Sequence, residues 1–253
     1  MIPKIIHYCW FGNKKIPQLE TKCIATWKKV LPDYEFKLWN EESFNINSST
    51  WCKGAYEVGK YAFVSDYVRL KVLYEYGGIY LDTDVEVLKD FSPDIKILKS
   101  FGPLLEDEGF IGFEDVKGNI IASCVIAAKQ KHPFIKECMQ YYNQDFTMEI
   151  INKNEANVID ITQRLVKKGL QLGGKEQIIA GMHIYPREYF CPMDFFGNWN
   201  KTVNTYCIHL FSGSWLPDNA QKKLNRRKTW YFKLSKWIYV HMGLQKIKNS
   251  LKL

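Results

Sequence analysis

Two aspartates separated by one residue, Asp82 and Asp84, follow a short apolar stretch and carry the clearest chemical signal in the chain. The carboxyl ends of strands form the edge where open α/β sheets bind ligands. Two carboxylates at an exposed strand-to-turn junction suit a hard divalent cation such as Mg²⁺ or Mn²⁺. Such an ion neutralises the charge of a departing diphosphate. The pair predicts a metal-dependent step, with a solvated acidic turn as the alternative.

A second polar pair lies in the helix pattern that precedes this strand. Asp66 and Arg69 are three residues apart and share one helix face. Arginine binds phosphate through its rigid donor fork, and aspartate accepts hydrogen bonds from sugar hydroxyls. We expect the pair to face the Asp82 carboxylate and to line a polar site. A surface ion pair has the same spacing and is the alternative.

Strand and helix patterns alternate around these residues. The spacing of apolar residues predicts strands over 4–10, 34–39, 79–81, 120–128, 183–185 and 206–211, and helices over 18–30, 62–76, 133–142 and 155–168. A strand–helix–strand opening requires parallel strands with a right-handed crossover. Gly77-Gly78 ends the second helix and returns the chain into the strand of Asp82. The sequence thus predicts one α/β domain without repeats or an internal linker.

The composition excludes several classes of protein. With 253 residues, 46% hydrophobic and 25% charged, the chain is neither disordered nor low in complexity. No apolar run approaches the ~20 residues of a membrane-spanning helix, and the opening residues are too short and polar for a signal peptide. Seven cysteines without C-x-x-C spacing indicate buried thiols in a reducing cytosol, not a disulfide framework or structural zinc site.

The positive charge of the chain lies at its end. Ten of the 35 Lys and Arg residues fall between Gln221 and Leu253, where there is no Asp or Glu, so 25 basic residues face 27 acidic ones elsewhere. Trp230, Trp237 and Tyr239 are interleaved with these cations. This pattern predicts a basic helix on an anionic membrane surface. A helix packed on the body is the alternative, and no nucleic-acid motif is present.

Three separated motifs resemble one family in the same order. Ser65–Arg69 with Leu73–Asp84 resembles the signature of DXD-containing sugar transferases. These are the capsular-polysaccharide and mannosyltransferase-like, family 32-like glycosyltransferases, similar in core to clostridial glucosylating toxins. Ile2–Gly12 resembles their first strand and nucleotide loop, and His209–Trp215 their closing metal and diphosphate loop. The similarity covers residues 1–90 and 205–216, and hardly the middle.

The resemblance implies a GT-A fold, Rossmann-like, with a mixed and mainly parallel sheet. It implies retaining transfer from a nucleotide sugar, usually a UDP-sugar, with Mn²⁺ or Mg²⁺. It assigns roles to individual residues: Trp10 stacks on the base, Asp66 and Arg69 contact the donor sugar, Tyr80 and Asp82 contact ribose and sugar, Asp84 and His209 bind the metal, and Ser214 and Trp215 contact the diphosphate. Asp66, Arg69 and Asp82 are the expected catalytic residues.

We therefore expect a glycosyltransferase domain over 1–220 and a basic aromatic segment over 221–253. The expected acceptor is a glycan, lipid-linked, in surface polysaccharide (capsule) synthesis. The expected location is cytoplasmic, peripheral on the inner face of the cell membrane, with the nucleotide sugar, the acceptor and anionic lipid as partners and no nucleic acid.

Three alternatives remain beside this reading. An aspartyl-phosphate phosphatase also opens with D-x-D, but it requires a small or β-branched residue where Glu86 stands. A glycosidase holds its two carboxylates about 5–10 Å apart across a sugar, whereas D-x-D carboxylates converge on an ion. A membrane- or nucleic-acid-binding module without catalysis would depend on the basic segment alone.

The role of the basic segment is tested by truncating the chain after Asp218. Each Lys or Arg near an anionic bilayer contributes about 1 kcal/mol, so the truncated protein should no longer sediment with anionic liposomes. UDP-sugar hydrolysis and metal binding should remain. The full chain should leave the liposomes as salt rises from about 0.1 to 1 M. Equal sedimentation of both proteins would show that this segment does not bind membranes.

Overall fold

The computed structural model describes residues 1–91, 107–149, 157–194, 198–214 and 222. Nine strands lie in this part of the chain: β1 Ile5–Cys9, β2 Glu35–Trp39, β3 Gly78–Leu81, β4 Val85–Val87, β5 Gly109–Phe113, β6 Ile121–Ala128, β7 Gln177–Ile179, β8 Met182–Tyr185 and β9 Cys207–His209. The described α-helices are α1 Gln18–Val30, α2 Thr50–Glu57, α3 Tyr61–Tyr76, α4 Pro133–Met139 and α5 Asn157–Lys167. The predicted segment 221–253 lies outside the described residues, except for Lys222.

Seven strands form one sheet in the order β2-β1-β3-β6-β5-β8-β7. β1 pairs in parallel with β2 and β3, and β5 pairs in parallel with β8. β6 is antiparallel to both of its neighbours, and β7 is antiparallel to β8. Five of the seven strands therefore run in one direction. The prediction of an α/β domain around a mixed, mainly parallel sheet is confirmed.

Two short strands form a second, antiparallel sheet that lies beside the first. β4 follows Asp84 directly, and β9 ends at His209. The register pairs Val85 with His209 and Val87 with Cys207. This ladder joins the end of the DXD segment to a strand from late in the chain.

Strands β4, β5 and β7 and helix α2 were not predicted from the sequence, because their local sequence patterns are weak. β4 and β7 are three residues long, and β5 contains Gly109 and Gly112, which usually weaken a strand. A Cβ at Gly109 would lie 2.6 Å from Met182 Sδ, so close packing explains the glycine there. Helix α2 begins at the N-cap Ser49, whose side chain accepts a hydrogen bond from the Cys52 backbone N–H.

The core lies on both faces of the large sheet. One buried cluster includes residues of α2, α3, α4 and α5, and the other includes Trp27 of α1 with β4 and β9. All residues of β5 and β6 are buried, as expected for strands covered on both faces. All seven cysteines are free and buried, which confirms the prediction of buried thiols.

The turn between α3 and β3 places the DXD segment. Gly77 and Gly78 have φ values of 67° and 108°, and a Cβ at Gly78 would lie 2.6 Å from the carbonyl oxygen of Ile5. His7 on β1 holds this turn: its Nε2 lies 2.8 Å from the Gly77 carbonyl oxygen, and its Nδ1 accepts a hydrogen bond from Trp39 Nε1 at 3.1 Å. These two partners require a neutral imidazole with the proton on Nε2.

The stability of this turn should depend on pH through His7. Burial lowers the pKa of His7 to about 4 from 6.5. Because the folded-state pKa is lowered, the stabilisation is complete above about pH 6.5 and is lost as the pH falls towards 4. The shift corresponds to about 3 kcal/mol in the free energy of unfolding.

We expect His7→Gln to have a shallower loss of stability between pH 6.5 and 4 than the wild type. The measurement is chemical denaturation at a series of pH values in this range. The amide of glutamine can still donate to the Gly77 carbonyl oxygen, so the comparison isolates the titration. Equal pH slopes in the two proteins would contradict the assignment.

Candidate functional site

The carboxyl end of β3 brings three predicted site residues together. Asp82 follows β3, and its backbone N–H donates to the Cys124 carbonyl oxygen on β6 at 2.9 Å. The β4–β9 ladder places His209 beside Asp84. One ligand atom from each of Asp82, Asp84 and His209 lies within 4.8 Å of the others. Two carboxylate oxygens and one imidazole nitrogen form a donor set that suits Mg²⁺ or Mn²⁺.

Asp84 is held in place by residues from late in the chain. Its Oδ1 lies 3.4 Å from His209 Nε2, and its Oδ2 accepts a hydrogen bond from the Ser212 backbone N–H at 2.8 Å. Burial alone would raise the pKa of Asp84, but the facing His209 and these hydrogen bonds hold the pKa well below its usual range. Asp84 is therefore ionised at neutral pH.

The expectation of an exposed strand-to-turn junction is wrong for Asp84. The residue is only 8% exposed, because β9 and the loop that follows it cover the turn. Removal of this carboxylate therefore affects a packed region of the protein, in contrast to the solvated turn that the sequence suggested.

Arg69 joins the two acidic residues of the site. Its Nη2 lies 2.9 Å from Asp66 Oδ1 and 3.3 Å from Asp82 Oδ1. Its Nη1 donates to the carbonyl oxygen and the Oγ of Ser123, and its Nε to the Ser65 carbonyl oxygen. These five acceptors match the five N–H donors of a guanidinium. Arg69 is 5% exposed, so its donor fork binds the protein itself, and a direct contact with phosphate would require one of these bonds to break.

Tyr80 lies beneath Asp82 and supports it. The residue is 1% exposed, and its hydroxyl donates to Asp82 Oδ1 at 2.9 Å. The Arg69 guanidinium lies over the Tyr80 ring, 4.7 Å from the centroid. In this arrangement Tyr80 holds Asp82 and presents almost no surface to a ribose.

Two residues that the sequence analysis missed complete this polar network. Asn157, the first residue of α5, donates from Nδ2 to Asp66 Oδ1 at 2.8 Å. Ser123 Oγ lies 3.3 Å from Asn157 Oδ1. The polar Ser123 in an apolar strand pattern was a signal that could have been used, but Asn157 gave none. Burial raises the pKa of Asp66 to about 6, with Asp82 adding to the rise and Arg69 opposing it.

Glu114 is a third residue at this edge that the sequence analysis missed. It follows β5, which runs in the same direction as β3, so both ends lie on one side of the sheet. Burial raises the pKa of the Glu114 carboxyl, and Asp82 raises it further against the opposing effect of His209.

Trp10 follows β1 and Asp82 follows β3, and these strands are parallel neighbours, so both residues lie at one edge of the sheet. Trp10 is half-buried, and its Nε1 donates to the Lys14 carbonyl oxygen at 2.6 Å. Ser214 is exposed in a turn two residues after Ser212. The predicted diphosphate residue Trp215 lies outside the described residues.

A cavity of about 370 Å³ lies between α1 and the second sheet. It is lined mainly by α1 residues with Glu86 and Leu210, and by none of the predicted site residues. We place the site at Asp82 and Asp84 and not in this cavity, because the side chains that could bind an ion converge there.

Residues 17–102 match the family model of the glycosyltransferase sugar-binding region containing a DXD motif. The resemblance to DXD-containing glycosyltransferases is confirmed. Inositol phosphoceramide mannosyltransferase 3 of Schizosaccharomyces pombe is 32% identical over 146 residues, which are 55% of this chain and 36% of that protein. An uncharacterized protein of Arabidopsis thaliana is 31% identical over 171 residues, 66% of this chain and 23% of that protein. The matches thus span about a third or less of these relatives.

Two solved glycosyltransferase structures resemble this chain at TM-scores below 0.5. The PaToxG glycosyltransferase has a TM-score of 0.47 at 24% identity and covers 66% of this chain and 70% of that one. The galactosyltransferase LgtC has a TM-score of 0.42 at 11% identity and covers 88% of this chain and 95% of that one.

The buried ion pairs of Arg69 should matter far more to stability than an exposed pair on the same helix. Arg69→Met would leave Asp66 and Asp82 without their cation, and we expect a loss of about 3–5 kcal/mol in the free energy of unfolding. Lys71→Met removes the cation from an exposed pair with Glu75 and should cost less than about 1 kcal/mol. Urea denaturation measures both.

A second variant separates charge from packing. Asp66→Asn combined with Arg69→Met removes one of the stranded carboxylates, so it should recover part of the stability that Arg69→Met loses. Equal losses for Arg69→Met and Lys71→Met would show that the Arg69 network does not stabilise the fold.

Proposed function

We propose that this chain is a metal-dependent, retaining glycosyltransferase that moves a sugar from a nucleotide sugar, a UDP-sugar, to a glycan acceptor. The observation that carries the proposal is the convergence of Asp82, Asp84 and His209 at the sheet edge. The two aspartates lie within the region that matches the DXD family model, and His209 lies beside them in space. The site is polar, charged and partly shielded from water. This is the environment in which charge on a leaving group is stabilised most strongly.

Asp84 and His209 would hold the divalent cation, with Asp82 beside them. The donor set fits Mn²⁺ or Mg²⁺, because Asp84 is ionised and two of the three ligand atoms are oxygen. When bound, the ion supplies positive charge against the diphosphate leaving group. The Ser212 backbone N–H orients the Asp84 carboxylate by fixing its Oδ2.

Asp82 would contact the donor through the oxygen that the protein does not use. The contacts of Asp82 with Arg69 and with Tyr80 both involve Oδ1. Oδ2 is then free to accept from a donor hydroxyl or to face the cation. Arg69 and Tyr80 act here as positioning residues, since their contacts fix the carboxylate before the donor arrives.

Asp66 would accept a hydrogen bond from the donor sugar, in line with the resemblance. Its side chain is 17% exposed, more than that of Arg69, and Asn157 and Arg69 both bind its Oδ1. Trp10 would stack on the base and the 209–215 loop would cover the diphosphate. Retention follows if the acceptor attacks from the face that the diphosphate leaves, so no side-chain nucleophile is required.

The acceptor is proposed to be lipid-linked. The matched Schizosaccharomyces pombe relative is named for mannosyl transfer to inositol phosphoceramide, which is a lipid. Among the described residues, no helix has both the length and the apolar character needed to span a bilayer. We propose that residues 1–220 form the catalytic domain and that the ten cations of 221–253 hold it at the inner face of the cell membrane, where a surface polysaccharide precursor would be presented.

The proposal is tested with a panel of UDP- and GDP-sugars and Mn²⁺. We expect hydrolysis of a UDP-sugar that chelation abolishes and Mn²⁺ restores. Asp84→Asn should lower turnover at least about 100-fold, since the charge of a metal ion contributes several kcal/mol to such a step. Product release is followed by chromatography of the nucleotide.

Glu86→Gln is the matched control. Glu86 stands two residues after Asp84 on β4 and belongs to neither the cation ligands nor the Arg69 network. This variant should keep wild-type turnover. Because Asp84 is buried, circular dichroism must show that Asp84→Asn is folded. A folded Asp84→Asn protein with wild-type turnover at limiting Mn²⁺ would refute the metal assignment.

A further inference from the structure

Two cysteines that the proposed reaction does not use lie against each other behind the site. Cys124 is on β6 and Cys191 follows the β8 strand, and their Sγ atoms are 3.4 Å apart. Both residues are at most 1% exposed. One nitrogen of His209 and the two Sγ atoms all lie within 4.8 Å of one another. The three residues are far apart in sequence, so no spacing motif announces them.

The imidazole of His209 has one nitrogen to spare. Its Nε2 faces Asp84 Oδ1 at 3.4 Å. Its Nδ1 is buried and has no hydrogen-bond partner among the described residues. A buried polar atom without a partner costs about 1–3 kcal/mol, so native proteins usually satisfy it. This nitrogen is the one we assign to the side of the two thiols.

We propose that Cys124, Cys191 and His209 bind a thiophilic divalent cation of the Zn²⁺ class, at a second site behind the Asp82–Asp84 carboxylates. Two thiolates and an imidazole form the donor set that soft and borderline ions prefer, whereas Mg²⁺ and Mn²⁺ prefer oxygen.

The distance between the sulfurs fits a shared ion better than a disulfide. Two thiolates on one tetrahedral zinc ion, each about 2.3 Å from the metal, are about 3.8 Å apart. The observed 3.4 Å differs from this by a few tenths of an ångström. A disulfide needs about 2.05 Å, which would require the two sulfurs to approach by more than 1 Å. It would also need an oxidant to accept two electrons.

The charge balance also favours binding of a cation in this buried place. Each thiol loses its proton to solvent as its sulfur binds, and His209 keeps its proton on Nε2, which faces Asp84 Oδ1. The divalent ion, two thiolates and a neutral imidazole then carry no net charge, and in this state His209 does not bind the cation of the Asp82–Asp84 site. A neutral complex avoids most of the penalty for burying an ion.

Backbone contacts hold both cysteines where they are. The Cys124 carbonyl oxygen accepts from the Asp82 N–H at 2.9 Å, and the Cys191 N–H donates to the Arg187 carbonyl oxygen at 2.8 Å. Ligands fixed in this way lose little conformational entropy on binding. The site shares His209 with the proposed cation site, but its test reads metal–sulfur bonds and not sugar transfer, so its failure and that of the proposed function are distinguishable.

The test is titration of the full chain, reduced with a phosphine, with Co²⁺ as a spectroscopic substitute for Zn²⁺. We expect one equivalent to give sulfur-to-metal charge-transfer absorption and the visible bands of tetrahedral cobalt. Zn²⁺ should bleach this signal, and excess Mg²⁺ or Mn²⁺ should not. Cys124→Ser and Cys191→Ser should each weaken Zn²⁺ binding at least about tenfold, because even partners of metal ligands contribute that much.

Cys138→Ser is the matched control, since Cys138 is a buried cysteine on α4 outside the cluster. It should bind Zn²⁺ within about twofold of the wild type. X-ray absorption of the zinc-loaded wild type tests the site without any substitution: two sulfur ligands and a nitrogen support it. A first shell of oxygen and nitrogen alone, the absence of the charge-transfer band, or an equal effect of Cys138→Ser would overturn it.

Discussion

The buried guanidinium of Arg69 connects the parts of the chain that make the site. It lies on α3, faces the carboxylate at the end of β3 and donates twice to Ser123 on β6. A cation at this depth is stable only if it is paired and fully hydrogen-bonded. Asp66, Asp82 and the oxygens around them meet that requirement. The position of Asp82 is therefore set by the electrostatics of the core as much as by the backbone of β3.

The constraint extends outward from Arg69 in two directions. Towards α5, Asn157 binds Asp66 and Ser123 and closes the network on that side. Towards the late part of the chain, β9 and Ser212 hold Asp84 beside His209. Asp82 and Asp84 are thus separated by one residue in sequence but are held by different parts of the fold. Arg69 of α3 holds Asp82, whereas the small sheet and the Ser212 backbone hold Asp84.

Local sequence patterns predicted those helices and strands whose own residues show a regular apolar spacing. Helix α1 has the predicted bounds 18–30 because its apolar spacing is regular and Pro32 follows it. The strand β5 was missed because its glycines fit neighbours that only the folded chain supplies. Likewise, the spacing of Asp66 and Arg69 showed that they share a face. The burial of Asp84 and the hydrogen bond from Asn157 to Asp66 depend on contacts between residues distant in sequence. No local sequence pattern contains such contacts.

The β4–β9 ladder has a consequence for the order in which the protein is made. The bond between Ser212 and Asp84 joins residues that are 128 positions apart. A ribosome that has synthesised the DXD segment must add more than a hundred residues before the partner strand emerges. Contacts of such long range form late and slowly. The nascent chain therefore acquires its completed cation ligand set only after β9 and Ser212 have been synthesised, when all seven strands of the large sheet have already been translated.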